Sequence, residues 1–243
     1  MVKSPHDYKY QRVIGETQLT AIAHNKSILI SSLLILLTLI SQHAAALDVM
    51  ITPEIGEFTV QHGANQVLVR REQDTGAMLE FNFARTARPC PPFCAQPMQA
   101  ASGVETIAEV ELIAFMQQAL SEGSGLLIDA RTADWHERGT IPGSINIPYT
   151  HLNPKQGANE ITLEESLALF GVVMKKDNWD FSQAKTLVLW CNGPWCGQSP
   201  TAIHGLIRMG YPPEKLLYYR GGMQLWQIFG LPVVYPDGRL LDE

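Results

Sequence analysis

Beyond residue 104 the apolar positions of the chain fall into short uninterrupted runs separated by stretches of helical spacing. Gly125-Leu-Leu-Ile-Asp129, Thr186-Leu-Val-Leu-Trp190 and Leu216-Leu-Tyr-Tyr219 are the runs. Length and near-continuous apolarity predict strands buried on both faces. Between them, Val104 to Leu120 carries Val110, Ile113, Ala114 and Met116 at three- and four-residue steps and predicts a helix. Leu163 to Phe170 predicts a second short helix and Gly222 to Phe229 a last one. Ser199-Pro200 predicts an N-cap and first helical position for a helix that runs to Met209 and ends at Gly210. Strands alternating with helices predict an α/β fold, a parallel sheet with helices on both faces. Sites in such sheets lie at the carboxyl ends of the strands.

The pattern before residue 104 is different. Glu57 to Gln61 and Gln66 to Arg70 are short β-like runs flanking His62-Gly63-Ala64-Asn65, a hairpin pattern. Arg88 to Pro97 contains Pro89, Pro91, Pro92 and Pro97 and predicts a rigid extended arm, since proline is excluded from helix interiors and central strands. Residues 47–103 are therefore expected to form a small β lobe with a Pro/Cys-rich arm, ahead of an α/β domain over 104–243.

A third pattern opens the chain. Ile28 to Ile40 is an uncharged apolar run of 13 residues, shorter than the ~20 that span a bilayer. Lys3, Lys9, Arg12 and Lys26 precede it against Asp7 and Glu16, and Ala44 and Ala46 follow in small-x-small register. That is the layout of a secretory signal peptide over 1–46, cleaved after Ala46. The alternative is an uncleaved anchor, the one route to a membrane association. Both place the remainder outside the cytoplasm, with the periplasm expected.

Composition sharpens this picture. The chain has 46% hydrophobic and 17% charged residues, ordinary for a domain with a real core. Net charge is −6, and without the first 46 residues 14 Lys and Arg face 22 Asp and Glu, net −8. No basic stripe is present, which argues against nucleic acid as a partner. Glycine-rich phosphate loops, zinc-protease motifs and Ser-His-Asp signatures are absent, and no cofactor is expected. In an exported chain, paired cysteines tend toward disulfides.

The decisive residue is Cys191, which directly follows the Thr186–Trp190 strand. Asn192-Gly193-Pro194-Trp195-Cys196-Gly197-Gln198 then forms a loop before Ser199. Amides of such a loop, aided by a helix dipole, stabilise an anion at the sulfur and favour a reactive thiolate. Asn192, Gly193, Trp195, Gly197, Gln198 and Ser199 are the expected anion-stabilising residues. The bland alternative is an inert buried cysteine.

These residues resemble the rhodanese family over about Val104 to Val234. Leu127-Ile-Asp-Ala-Arg131 is similar to the family's first signature strand. Glu137-Arg-Gly-Thr-Ile-Pro-Gly-Ser-Ile-Asn-Ile-Pro148 is similar to its second signature, with Thr140 in place of the usual histidine. Gly210-Tyr211 and Arg220-Gly-Gly-Met-Gln-Leu-Trp226 match the closing one. The resemblance implies that Cys191 is the sulfur-accepting cysteine, with Asp129, Arg131 and Arg220 in support. It implies a sulfurtransferase whose partners are a small sulfur donor or thiol acceptor, or a redox partner protein.

Two departures shape the chemistry. The family's loop carries an arginine five residues after the cysteine, where this chain has Cys196, and this loop is two residues longer. No Arg or Lys lies between Cys191 and the helix, although a thiosulfate or phosphate dianion calls for one. Arg131, Arg138 and Arg220 are the candidates to supply charge through space. Cys196 offers resolution of a Cys191 persulfide or mixed disulfide. The alternatives are a thiol–disulfide oxidoreductase without a persulfide step, or a silent binding module with both cysteine pairs locked. Cys90 and Cys94 form a second pair, structural or redox-active. A four-cysteine zinc site lacks the usual C-x2-C spacing, and no metal is expected.

Overall fold

The computed structural model describes residues 49–79, 81–176 and 178–241. The expected signal segment, 1–46, lies outside the described residues. Among the described residues no helix is long and apolar enough to cross a membrane.

The first elements are the antiparallel strands β1 (Glu57–His62) and β2 (Asn65–Arg70), where the hairpin pattern places them. Gly63 supplies the left-handed residue of the tight turn at φ +56°. A single helical turn, α1 (Phe81–Ala84), leads into the arm.

The central sheet has five strands: β3 (Glu105–Ile107), β4 (Gly125–Asp129), β5 (Ser144–Asn146), β8 (Thr186–Trp190) and β9 (Leu216–Tyr219). Their order is β3-β9-β8-β4-β5, and every pair is parallel. A separate antiparallel ribbon joins β6 (Val173–Lys175) to β7 (Asn178–Asp180). The helices are α2 (Glu109–Phe115), continued by a π-helical turn over Met116–Leu120, α3 (Ala133–His136), α4 (Glu160–Leu169), α5 (Gln198–Met209) and α6 (Gly222–Ile228).

Strand periodicity divides the core in two. On β8, Val188 and Trp190 face one cluster while Leu187 and Leu189 face the other. The first cluster holds Leu112, Ile113 and Phe115 of α2 with Met223 and Trp226 of α6. The second holds Leu167 of α4 with Ala202, Ile203 and Leu206 of α5. Helices therefore cover both faces, as the alternation predicts. Val60, Val67 and Val69 of the hairpin belong to the first cluster, so the hairpin packs into the same core as α2 and α6. Gly143 seals that contact: its amide donates to His62 Nδ1 at 3.1 Å.

Three local expectations need correction. The helix expected from Val104 begins only at Glu109, because Glu105–Ile107 pairs with β9 as an edge strand. The helical phase also differs: Val110 is 54% exposed, and Leu112, Ile113, Phe115 and Met116 carry the burial. At the active loop, α5 begins at Gln198 with Gly197 as its cap. Ser199 is thus the second helical residue and Pro200 the third. A proline still fits there because the first amides of a helix have no intrahelical acceptor.

Candidate functional site: the Cys191 loop

Because all five strands are parallel, their carboxyl ends gather at one edge of the sheet. Arg131 follows β4, Cys191 follows β8 and Arg220 follows β9 within two residues of the strand ends. This is the place the strand–helix alternation predicts for chemistry.

The floor of the site is a buried ion pair. Arg131 is 1% exposed and donates from Nε to Asp129 Oδ1 at 2.8 Å and from an Nη to Asp129 Oδ2 at 2.6 Å. Thr140 Oγ1 donates to the same carboxylate at 3.0 Å, and His136 Nδ1 lies 3.0 Å from it. Burial alone would raise the Asp129 pKa, but the Arg131 guanidinium and its hydrogen bonds, together with His136, hold it down at about 2. Arg131 also reaches Gly139 O at 2.7 Å and Asn192 Oδ1 at 3.3 Å. The pair thereby fastens the first residue of the active loop to the sheet. Thr140, which stands where the family has histidine, takes part in this network.

The loop is closed from its other side by α6. The amides of Met223 and Gln224 donate to the carbonyls of Cys191 and Asn192, each at 3.0 Å. Such close approach requires glycine at 222: its φ is +54°, and a β-carbon there would stand 2.1 Å from the Cys191 carbonyl oxygen.

Cys191 and Cys196 are both free thiols, 2% and 6% exposed. The Ser199 hydroxyl donates to Cys191 Sγ at 3.1 Å. Burial works to raise the Cys191 pKa, yet hydrogen bonds from the Cys196 thiol, the Ser199 hydroxyl and the amides of Ser199 and Gly193 bring it down to about 7. The same burial, together with the neighbouring Cys191 sulfur, pushes Cys196 well above an ordinary thiol, while the amides of Gln198 and Asn192 face it. Of the two, Cys191 is therefore the thiol that ionises more readily near neutral pH, while Cys196 stays protonated beside it. Gln198 Oε1 lies 3.7 Å from Cys196 Sγ, an alternative acceptor for its single thiol proton.

The other expected loop residues divide by role. Asn192 and Gly193 act through their amides, and the Asn192 side chain is committed to Arg131. Gly197 caps α5, its carbonyl accepting from Thr201 N at 3.0 Å. Trp195 does not point its indole N–H at the sulfur; it donates to Gln224 Oε1 at 2.7 Å, and Gln224 Nε2 donates to Phe83 O at 2.9 Å.

The arm lies over this loop. Cys90 and Cys94 form a disulfide, which withdraws them from any four-thiolate metal site. Gln96 N donates to Pro194 O at 2.8 Å. Phe93 meets Trp195 edge-on at 5.6 Å, and the Arg88 guanidinium lies 3.9 Å from the Trp195 ring centre. Arg220 donates to the carbonyls of Gln96 and Pro97 at 2.9 and 3.2 Å. Of the three arginines expected to bring charge, Arg131 is consumed by Asp129. Arg138 lies 3.9 Å from Asp134 and 5.2 Å from the Trp135 ring centre, and only Arg220 faces the loop's outer side. Arg85 and Arg88 were not anticipated. Their charge is visible in the sequence, but the stacking of Arg88 on Trp195, a hundred residues later, and the place of Arg85 beside it are not.

A family model described as the rhodanese-like domain matches residues 113–228. Among solved structures, a protein from Bacillus halodurans is 18% identical, with 55% of this chain and 79% of that chain covered and a TM-score of 0.40. A human single-domain sulfurtransferase is 22% identical over 51% of this chain and 96% of its own, with a TM-score of 0.35. A thiosulfate sulfurtransferase from Pseudomonas aeruginosa is 19% identical over 56% of this chain and 21% of its own, with a TM-score of 0.38. No curated protein matches the chain. The family match runs from within α2 to the end of α6 and takes in the Cys191 loop, so residues 113–228 match the rhodanese-like domain family.

Proposed function

We propose that the protein transfers sulfane sulfur through a persulfide on Cys191 and that Cys196 resolves it. The observation that carries this reading is the pairing of two buried thiols of opposite tendency in one loop. In the first step the Cys191 thiolate attacks the terminal sulfur of a persulfide donor R–S–SH. The donor's S–S bond breaks, R–S⁻ leaves and takes a proton, and Cys191–S–SH remains. In the second step Cys196 sulfur attacks Cys191 Sγ. The persulfide bond breaks, its outer sulfur leaves with two protons as hydrogen sulfide, and a Cys191–Cys196 disulfide forms. The donor sulfur is reduced and the two thiols are oxidised. A second dithiol, as a small molecule or a partner protein, then returns the loop to its reduced state. Ser199 and the amides of Gly193 and Ser199 hold the attacking thiolate.

The Cys196 thiol beside Cys191 also favours a second reading, a thiol–disulfide oxidoreductase. There Cys191 attacks a substrate disulfide and Cys196 resolves the mixed disulfide. The signal segment adds the expectation that either chemistry takes place outside the cytoplasm, in the periplasm.

Intact-mass measurement with peptide mapping after exposure to a persulfide donor tests both. Sulfur transfer predicts one added sulfur atom on the Cys191 peptide of the Cys196→Ser protein and none in Cys191→Ser. A Cys191–Cys196 disulfide that opens and recloses with no sulfur adduct in Cys196→Ser would refute the persulfide and leave the oxidoreductase.

A further inference from the structure

The active loop has no cation of its own, yet three guanidiniums converge just outside it. A cleft of about 420 Å³ lies between the arm and the loop, lined by Arg85, Arg88 and Arg220 with Phe93, Trp195 and Gln224 among its walls. That volume falls within the ~300–1,000 Å³ of small-molecule sites, well above the needs of a single inorganic anion. No carboxylate lines it, although the chain as a whole carries a net charge of −6.

The three arginines are not balanced by the protein. Among the described residues none of them forms an ion pair with a carboxylate. Arg220 donates only to backbone carbonyls of the arm, and Arg88 donates from an Nη to the carbonyl of Asn82. Arg88 Nε is buried with no hydrogen-bond partner. An unpaired buried guanidinium N–H is costly, and such groups are normally satisfied by protein, water or ligand. Burial first, then the charge of Arg85, lowers the Arg88 pKa, as expected of a cation lacking a counter-charge. One face of Arg88 rests on Trp195, which fixes the plane of a fork suited to a carboxylate.

We propose that this cleft binds an organic sulfur compound bearing two acid groups, received by Arg85 and Arg88 of the arm and by Arg220 at the end of β9. The proposal rests on the sulfur-transfer reading for the ligand's sulfur and stands on the cleft alone for its charge. Trp195 and Pro194 form part of the cleft wall and Cys196 follows directly, so a ligand held there touches the outer side of the reactive loop. The arm thus supplies the charge that the loop lacks at the position of the family's arginine.

Titration calorimetry on the full chain with S-methylglutathione, a dicarboxylate with a capped and unreactive sulfur, tests the binding. Saturable one-to-one binding is expected, weakened by added salt. It should fall roughly three- to ten-fold in Arg85→Gln, an exposed position, and at least as far in Arg88→Lys, which keeps the charge and loses the fork. The ligand with both carboxylates methylated should not bind. Absence of binding to the unmodified chain, or equal affinity for the dimethyl ester, or affinity unchanged in both variants, would overturn the inference. Sulfur loading of Cys191 by inorganic polysulfide, read by mass, separates the two claims. Loading without ligand binding removes the cleft's role and leaves sulfur transfer standing. Ligand binding without loading leaves the acid-binding cleft and removes sulfur transfer.

Discussion

Ser199→Ala tests the electrostatic account of the loop most directly. The change removes a hydroxyl that donates to Cys191 Sγ at 3.1 Å and leaves the first turn of α5 intact. A hydrogen bond to a charged group contributes ~1.5–3 kcal/mol, and ~1.4 kcal/mol corresponds to one pKa unit. The Cys191 pKa should therefore rise from about 7 by roughly one to two units. At pH 7 the thiolate fraction would fall from about a half to roughly 1–10%. The remaining thiolate is more basic, and with a Brønsted slope of ~0.4–0.5 each anion reacts roughly three- to eight-fold faster. Exchange with a small aromatic disulfide, followed at the Cys191 peptide across pH, should then be roughly two- to six-fold slower at pH 7 and faster above pH 9. The two profiles cross. A titration midpoint unmoved by the substitution, or profiles that stay parallel, would show that Ser199 does not hold the thiolate.

The remaining predictions concern the scaffold and the loop. Asp129→Asn leaves Arg131 buried without its counter-charge and should cost ~3–5 kcal/mol in denaturant unfolding; a loss under ~1 kcal/mol would contradict the bracing role. The depressed Asp129 pKa stabilises the fold fully above the ordinary carboxylate range near 4, and that contribution is lost as pH falls through about 2. Melting followed from pH 5 to pH 2 should show this acid limb, and Asp129→Asn should lack its share of it. Gly222→Ala must move the Cys191 carbonyl away from a β-carbon 2.1 Å distant and should lower stability by ~2–4 kcal/mol; a neutral result would mean the loop is not held where α6 begins. By the same sign reasoning the Cys191 thiolate stabilises the fold above the ordinary thiol range, a contribution lost as pH falls through about 7. Cys191→Ser should flatten the stability profile in that window.

The strand runs were legible because burial on both faces leaves a continuous apolar signature. Thr186–Trp190 and Leu216–Tyr219 were found at their observed bounds for that reason. The three-residue strands β3 and β5 were not, since a few residues hold no period, and pairing with β9 and β4 is what makes them strands. The sequence reading starts helix α5 two residues late because Ser-Pro is a strong cap signal locally. The tertiary role of Ser199, bonding a sulfur, wins over its role as a cap. Cys191 itself was readable from its position after a strand and before a helix. What the sequence hid was long-range: which arginine pairs with Asp129, and which ones the arm carries to the loop. Charge can be counted along a chain, but its destination depends on packing.

The donors around the two sulfurs alternate along the loop. Amides of residues 193 and 199 face one sulfur, and those of 192 and 198 face the other. Each sulfur thus has its own pair of dipoles already oriented for negative charge, so a thiolate formed at either position finds them in place. Little of the surroundings needs to rearrange when it forms, whereas in water a solvent shell must build up around it. The loop behaves in this respect as a fixed solvent with two berths, of which the one at Cys191 fills at the lower pH.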